Sequence, residues 1–135
     1  MTVKLTMLLV ILVGGVAYAQ TAKNQNDMNK NEITVFVDRF YVPKEAIVEF
    51  KERTKINRKF IEALDGFIEH AAYESYNDDG NLTLITIAKW ESMEAIQKAK
   101  QKVQQKYKEE GFDLARMLKR LNITMERGLF KEEEL

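Results

Sequence analysis

Two strand-like runs, Phe67–Tyr76 and Leu82–Trp90, flank a five-residue turn, Asn77-Asp78-Asp79-Gly80-Asn81. No other feature limits the possible folds so much. Asn and Asp side chains bond their own backbone in tight turns, and Gly tolerates the positive φ such turns need. Residues 67–90 therefore read as a β-hairpin. A hairpin commits the chain to antiparallel sheet, and that sheet must bury at least one face.

The flanking segments supply the cover. Ile33–Val42 is rich in β-branched and aromatic residues and reads as a strand buried on both faces for much of its length. Pro43 sits where a helix can begin. From Ala46, the residues Ile47, Phe50, Ile56, Phe60, Ile61 and Leu64 keep near-helical spacing. Asp65-Gly66 ends that helix, with Gly66 suited to a left-handed cap. Ser92 caps a second helix, in which Met93, Ile96, Ala99, Val103 and Tyr107 recur, and Gly111 stops it. Asp113 caps a short helix through Leu121, and Ile123–Phe130 reads as a last strand. The order is α+β, the ferredoxin-like split βαβ arrangement with a four-stranded antiparallel sheet. Helices cover one face. The other stays apolar in a monomer, which predicts a homodimer through the sheet face.

The N-terminus reads as an address. Lys4 precedes an uncharged run from Leu5 to Val16, and Ala17-Tyr18-Ala19 fits a cleavage site after Ala19. The run is too short for a spanning helix, so no stable membrane anchor is expected. The expected organisation is a cleaved signal peptide over 1–19, a flexible polar leader over 20–32, one domain over 33–130 and a charged tail over 131–135. The location is then periplasmic or extracellular. With 135 residues there is room for one core. Twenty-one basic against 21 acidic residues argue against a nucleic-acid partner. The chain has no Cys and one His, so thiolate and multi-His metal sites are excluded. No phosphate-cradling or dinucleotide motif is present, and no metal or cofactor is expected.

Val42-Pro43 after the first strand, Gly66-Phe67 opening the second and Lys89-Trp90-Glu91-Ser92 closing the third occur in order. With them, residues 33–130 resemble the antibiotic biosynthesis monooxygenase (ABM) family of dimeric α+β barrels. The resemblance implies a homodimer with a pocket between sheet and helices in each subunit. It also implies the family's range of activities: cofactor-free oxygenases acting on electron-rich aromatic rings or quinols, heme degraders, isomerases and members without known activity. The positions matching the heme-degrading branch hold Asp38, Lys98 and Lys108, and an axial His is missing, so heme degradation is not expected. Ala99 and Gln104 stand where quinol-oxidising relatives often carry His.

The candidate site residues follow. Asp38 is a charge in an apolar strand; its neighbour Arg39 points to the opposite face. A desolvated Asp38 is a candidate base. His70, the one imidazole, is the other candidate, able to take a phenolic proton and pass it on. Trp90 is a candidate pocket wall for a planar ligand. Tyr41, Tyr73 and Tyr76 are candidate donors to a phenolic oxygen. Lys98, Lys100, Lys102, Lys106 and Lys108 read as a solvated helix face. The expected function is that of an exported, cofactor-independent monooxygenase of a small aromatic or quinol substrate. The alternative is a non-catalytic dimer that binds a small ligand in the same pocket.

Overall fold

Strand alternation decides which side chains meet the helices. The computed structural model describes residues 32–135, so the expected signal peptide and the leader up to residue 31 lie outside the described residues. Its elements are β1 (Thr34–Val42), a 3-10 turn (Lys44–Ala46), α1 (Ile47–Glu62), β2 (Phe67–Tyr76), β3 (Leu82–Trp90), α2 (Met93–Glu110), α3 (Leu114–Arg120) and β4 (Thr124–Lys131). The four strands form one antiparallel sheet in the order β2-β3-β1-β4. This is the expected ferredoxin-like fold. Within the chain the sheet stays open and does not close into a barrel.

The turn and cap residues act as their chemistry dictates. Asn77 Oδ1 accepts from the backbone N–H groups of Asp79 and Asn81, which closes the hairpin. Ser92 accepts from the Ala95 N–H to start α2, and Gly111 ends it in the left-handed conformation. Asp113 caps α3 through the Arg116 N–H. Gly66 departs from expectation. α1 ends at Glu62 on a right-handed Ala63, three residues earlier. Gly66 instead turns the chain into β2 at φ +83°, pressed against α2, where an added Cβ would lie 2.4 Å from that of Ala95. No side chain fits there.

β1 also differs from expectation. Thr34, Phe40 and Val42 are buried, whereas Val35 and Val37 are half-buried and Arg39 and Tyr41 exposed. The helices cover the face of Phe36, Phe40, Leu84, Ala88 and Met125, and leave that of Val35, Val37, Ile85 and Ile87 open.

The covered face holds two apolar clusters. One gathers Phe40, Val42, Phe50, Leu82, Leu84 and Leu118, together with Met117, Ile123 and Met125. The other gathers Ala88, Trp90, Met93, Ile96 and Ala99, with Phe36, Phe67 and Leu129 against it. Leu82, Leu118 and Ile123 are each 1% exposed. Burial of each contributes roughly 1.5–3 kcal/mol. What separates the clusters is not apolar.

Candidate functional site

Between the two clusters a polar row crosses the sheet. Register places Ala72, Thr86, Asp38 and Arg127 side by side on β2, β3, β1 and β4, all on the helix-covered face. Asp38 and Arg127 form a two-pronged ion pair. Arg127 Nε donates to Oδ1 at 2.6 Å and Nη2 to Oδ2 at 2.7 Å. The side chains are only 13% and 12% exposed. The Arg127 guanidinium also lies 4.5 Å from the centre of the Phe36 ring. A half-buried carboxylate here needs a partner of this geometry, and Arg supplies it. Each carboxylate oxygen keeps a further lone pair for a ligand.

α1 adds a second guanidinium. Arg58 Nη2 donates to the Ala71 carbonyl at 3.0 Å and to the Ile87 carbonyl at 3.4 Å, and Nε donates to His70 Nδ1 at 3.1 Å. Burial pulls the Arg58 pKa below its usual value, and the charges of Glu62 and Asp38 oppose that shift. Arg58 and Arg127 thus bracket Asp38 from opposite edges of the sheet.

α2 closes the row from above. Lys100, Gln104 and Tyr107 share one face of α2, four and three residues apart, and all are half-buried. Burial, then the Arg127 charge, lowers the Lys100 pKa. Burial raises that of Tyr107, which keeps the phenol a proton donor at neutral pH; Arg53 and Arg127 oppose the shift, while Glu110 and Asp38 add to it. The Tyr107 ring meets Phe112 edge-on at 5.0 Å. Arg53 sits 3.6 Å from the Phe112 ring centre and grips Glu110 with two hydrogen bonds. From outside, Tyr107 lines a cleft between α1 and α2 with Ile56, Phe60, Ile61 and Val103. The cleft measures about 20 Å³, room for roughly one water.

The structure brings some of the predicted residues together and separates others. Asp38, His70 and Trp90 share the covered face. Trp90 is 4% exposed and meets Phe67 edge-on at 5.4 Å within an apolar cluster, so it packs as core. His70 lies at the sheet edge, bonded to Arg58 through Nδ1 and to Glu62 through Nε2 at 2.5 Å. Its acceptor lone pair is occupied, which bars it from taking a substrate proton in this arrangement. Tyr41 and Tyr73 project from the open face, 38% and 60% exposed, and meet nothing on the Asp38 row. Tyr76 is on the covered side but at its far end, where Lys51 donates to its hydroxyl. Lys100 is a further correction: it faces the row and is not part of a solvated stripe. Arg58, Arg127, Lys100 and Tyr107 are the site residues missed from sequence.

Comparison with known proteins follows from this geometry. The family model described as antibiotic biosynthesis monooxygenase matches residues 34–112. Among solved structures, SnoaB, a cofactor-independent oxygenase from Streptomyces nogalater, is 26% identical with a TM-score of 0.59. The match covers 77% of this chain and 96% of SnoaB. A dimeric ferredoxin-like protein from an uncultured marine organism shares the fold at 7% identity, with a TM-score of 0.56 and coverage of 77% and 98%. No curated protein matches the chain.

Proposed function

Because the chain belongs to the antibiotic biosynthesis monooxygenase family, we propose that it is an exported, cofactor-independent monooxygenase of a small aromatic or quinol substrate, working as a homodimer. The observation that carries this reading is the charged row Asp38–Arg127, flanked by Arg58 and Lys100, in the space where the fold would otherwise place apolar core. In such a reaction the substrate is the electron donor to oxygen. One oxygen atom enters the product, and the other leaves as water with two hydrogens from the substrate. The protein's task is to form and hold the electron-rich anion. Asp38 accepts the phenolic proton through a lone pair that Arg127 leaves open, and the cations on either side hold the phenolate. Packing of the helices over the row keeps bulk water from it.

The test is oxygen uptake by the purified protein without added metal or cofactor, over a panel of hydroquinones and polycyclic phenols. Asp38→Asn is expected to lower turnover by about 100-fold or more. Turnover indifferent to Asp38→Asn would rule out this assignment. The Asp38–Arg127 grip favours a second reading, a ligand-binding dimer without chemistry, because both carboxylate oxygens are already engaged. Its signature is a ligand-dependent rise in Tm with no product formed.

Dimerisation rests on the open face, with half-buried Val35, Val37, Ile85 and Ile87 at its centre. Export rests on the Leu5–Val16 run and Ala17-Tyr18-Ala19. Terminal sequencing of the exported protein is expected to begin at Gln20.

A further inference from the structure

We infer that His70 is a positioning residue: held as the Nε2–H imidazole between Glu62 and Arg58, it aims Arg58 at the Asp38 row and releases it when protonated. The donor inventory fixes the tautomer. An Arg Nε carries only a proton to give, so its 3.1 Å contact with Nδ1 requires the lone pair there. The ring proton then sits on Nε2 and is donated to Glu62 Oε1. Arg58 and Glu62 stand one turn apart on α1, so one helix face grips both sides of the ring.

Arg58 is the cation with most to lose. It is half-buried, and its acceptors are the His70 nitrogen and two strand carbonyls. A second proton on His70 removes one acceptor and sets an imidazolium against the guanidinium at hydrogen-bond distance. Glu62, on the other side of the ring, holds the imidazolium in place, so Arg58 is the group displaced. Other charges near the ring do not compensate. Its register partner on β3 is Ala88, and Phe67 contributes a ring at 5.7 Å. Glu69 and Lys89 pair with each other at 3.0 Å on the opposite face, and Glu74 is held by Lys51. Asp38 lies beyond Arg58 and is held by Arg127. Acid therefore loosens one of the two guanidiniums that bracket the row, and an anion bound there loses affinity. The ligand effect rests on the function proposed above; the tautomer and the release do not.

The two parts separate in one experiment on the full chain. 15N NMR follows the His70 ring nitrogens and the Arg58 Nε–H signal from about pH 8 to about pH 5, where imidazoles change charge. An Nε2–H tautomer is expected at the alkaline end, with the Arg58 signal moving at the His70 midpoint. An Nδ1–H tautomer, or an Arg58 signal indifferent to that midpoint, overturns the positioning role. In parallel, quenching of Trp90 fluorescence reports binding of 2-hydroxy-1,4-naphthoquinone, an enolate over this range. Acidification is expected to weaken binding by about tenfold. His70→Asn retains an acceptor in the place of Nδ1 and does not titrate, so it is expected to bind as wild type and lose the pH dependence. His70→Leu is expected to bind weakly at every pH. Equal, pH-dependent binding by all three proteins overturns the role. The expected NMR result with no probe binding in any protein counts against the substrate reading and upholds the positioning role.

Discussion

Two neighbouring rows of the sheet, one on each face, invert the usual order of inside and outside. The covered face carries Ala72, Thr86, Asp38 and Arg127 across the strands. One residue along, the open face carries Ala71, Ile87, Val37 and Gly128. Charge lies beneath the helices, and the apolar row faces out. A monomer optimised for stability alone would exchange them, since charge is costly to bury and an apolar patch is costly to expose. The inversion fits the proposed function, in which the covered face meets a polar small molecule and the open face a second copy of the chain.

The comparison breaks most severely at Arg127. Arg127→Met leaves the Asp38 carboxylate half-buried without its partner, and a loss of about 3–5 kcal/mol is expected from urea unfolding. A loss under about 1 kcal/mol would mean that water already reaches the pair. The open face comes next. Val37→Asp places a charge at the centre of the proposed interface, and self-association measured by sedimentation is expected to weaken by about 2 kcal/mol or more. An unchanged dimer would move the interface elsewhere. Thr86→Val keeps the shape of the row and removes one hydroxyl. Stability is expected to shift by about 1 kcal/mol or less, while affinity for the naphthoquinone enolate falls. The smallest effect concerns alkaline stability. Burial raises the Tyr107 pKa, so above the ordinary phenol value near ~10 the unfolded chain gives up its proton first. Stability is thus fully present below that value and is lost as pH rises through the folded pKa. Melting curves of Tyr107→Phe are expected to show a shallower alkaline decline.

Local chemistry was legible in the sequence, and long-range pairing was not. The Asn77 turn, the Ser92 and Asp113 caps and the Gly111 stop each depend on neighbours within a few residues, and each formed as expected. Asp38 stood out as a charge in an apolar strand, and alternation correctly kept Arg39 from pairing with it. Its true partner lies on another strand and carries no local mark. Tyr73 failed for a related reason. It lies on another strand, and only register between strands ties its parity to that of Asp38; Tyr41 lies three residues from Asp38 on β1, so alternation alone set it on the opposite face. One overlooked signal was available. Lys100, Gln104 and Tyr107 run beside the apolar stripe of α2 at helical spacing, and polar residues at the edge of a buried stripe mark what it faces. Similarly, Arg58 and Glu62 share one helix face, a matched pair of grips for a lone imidazole.

The bond from Arg127 to Asp38 joins residues 89 apart in the chain. β1, which carries Asp38, sits in the sheet between β3 and β4, and so meets both strands only after long stretches of chain have closed. The hairpin of β2 and β3 needs no such closure and is free to form early. During synthesis, β4 emerges after the other three strands. Until it docks, Asp38 lacks the two-pronged grip of Arg127, and the proposed anion site lacks one wall. On the proposed function, ligand binding would therefore require β4 in place, and a ligand would stabilise chains in which β4 has docked while leaving earlier ones untouched.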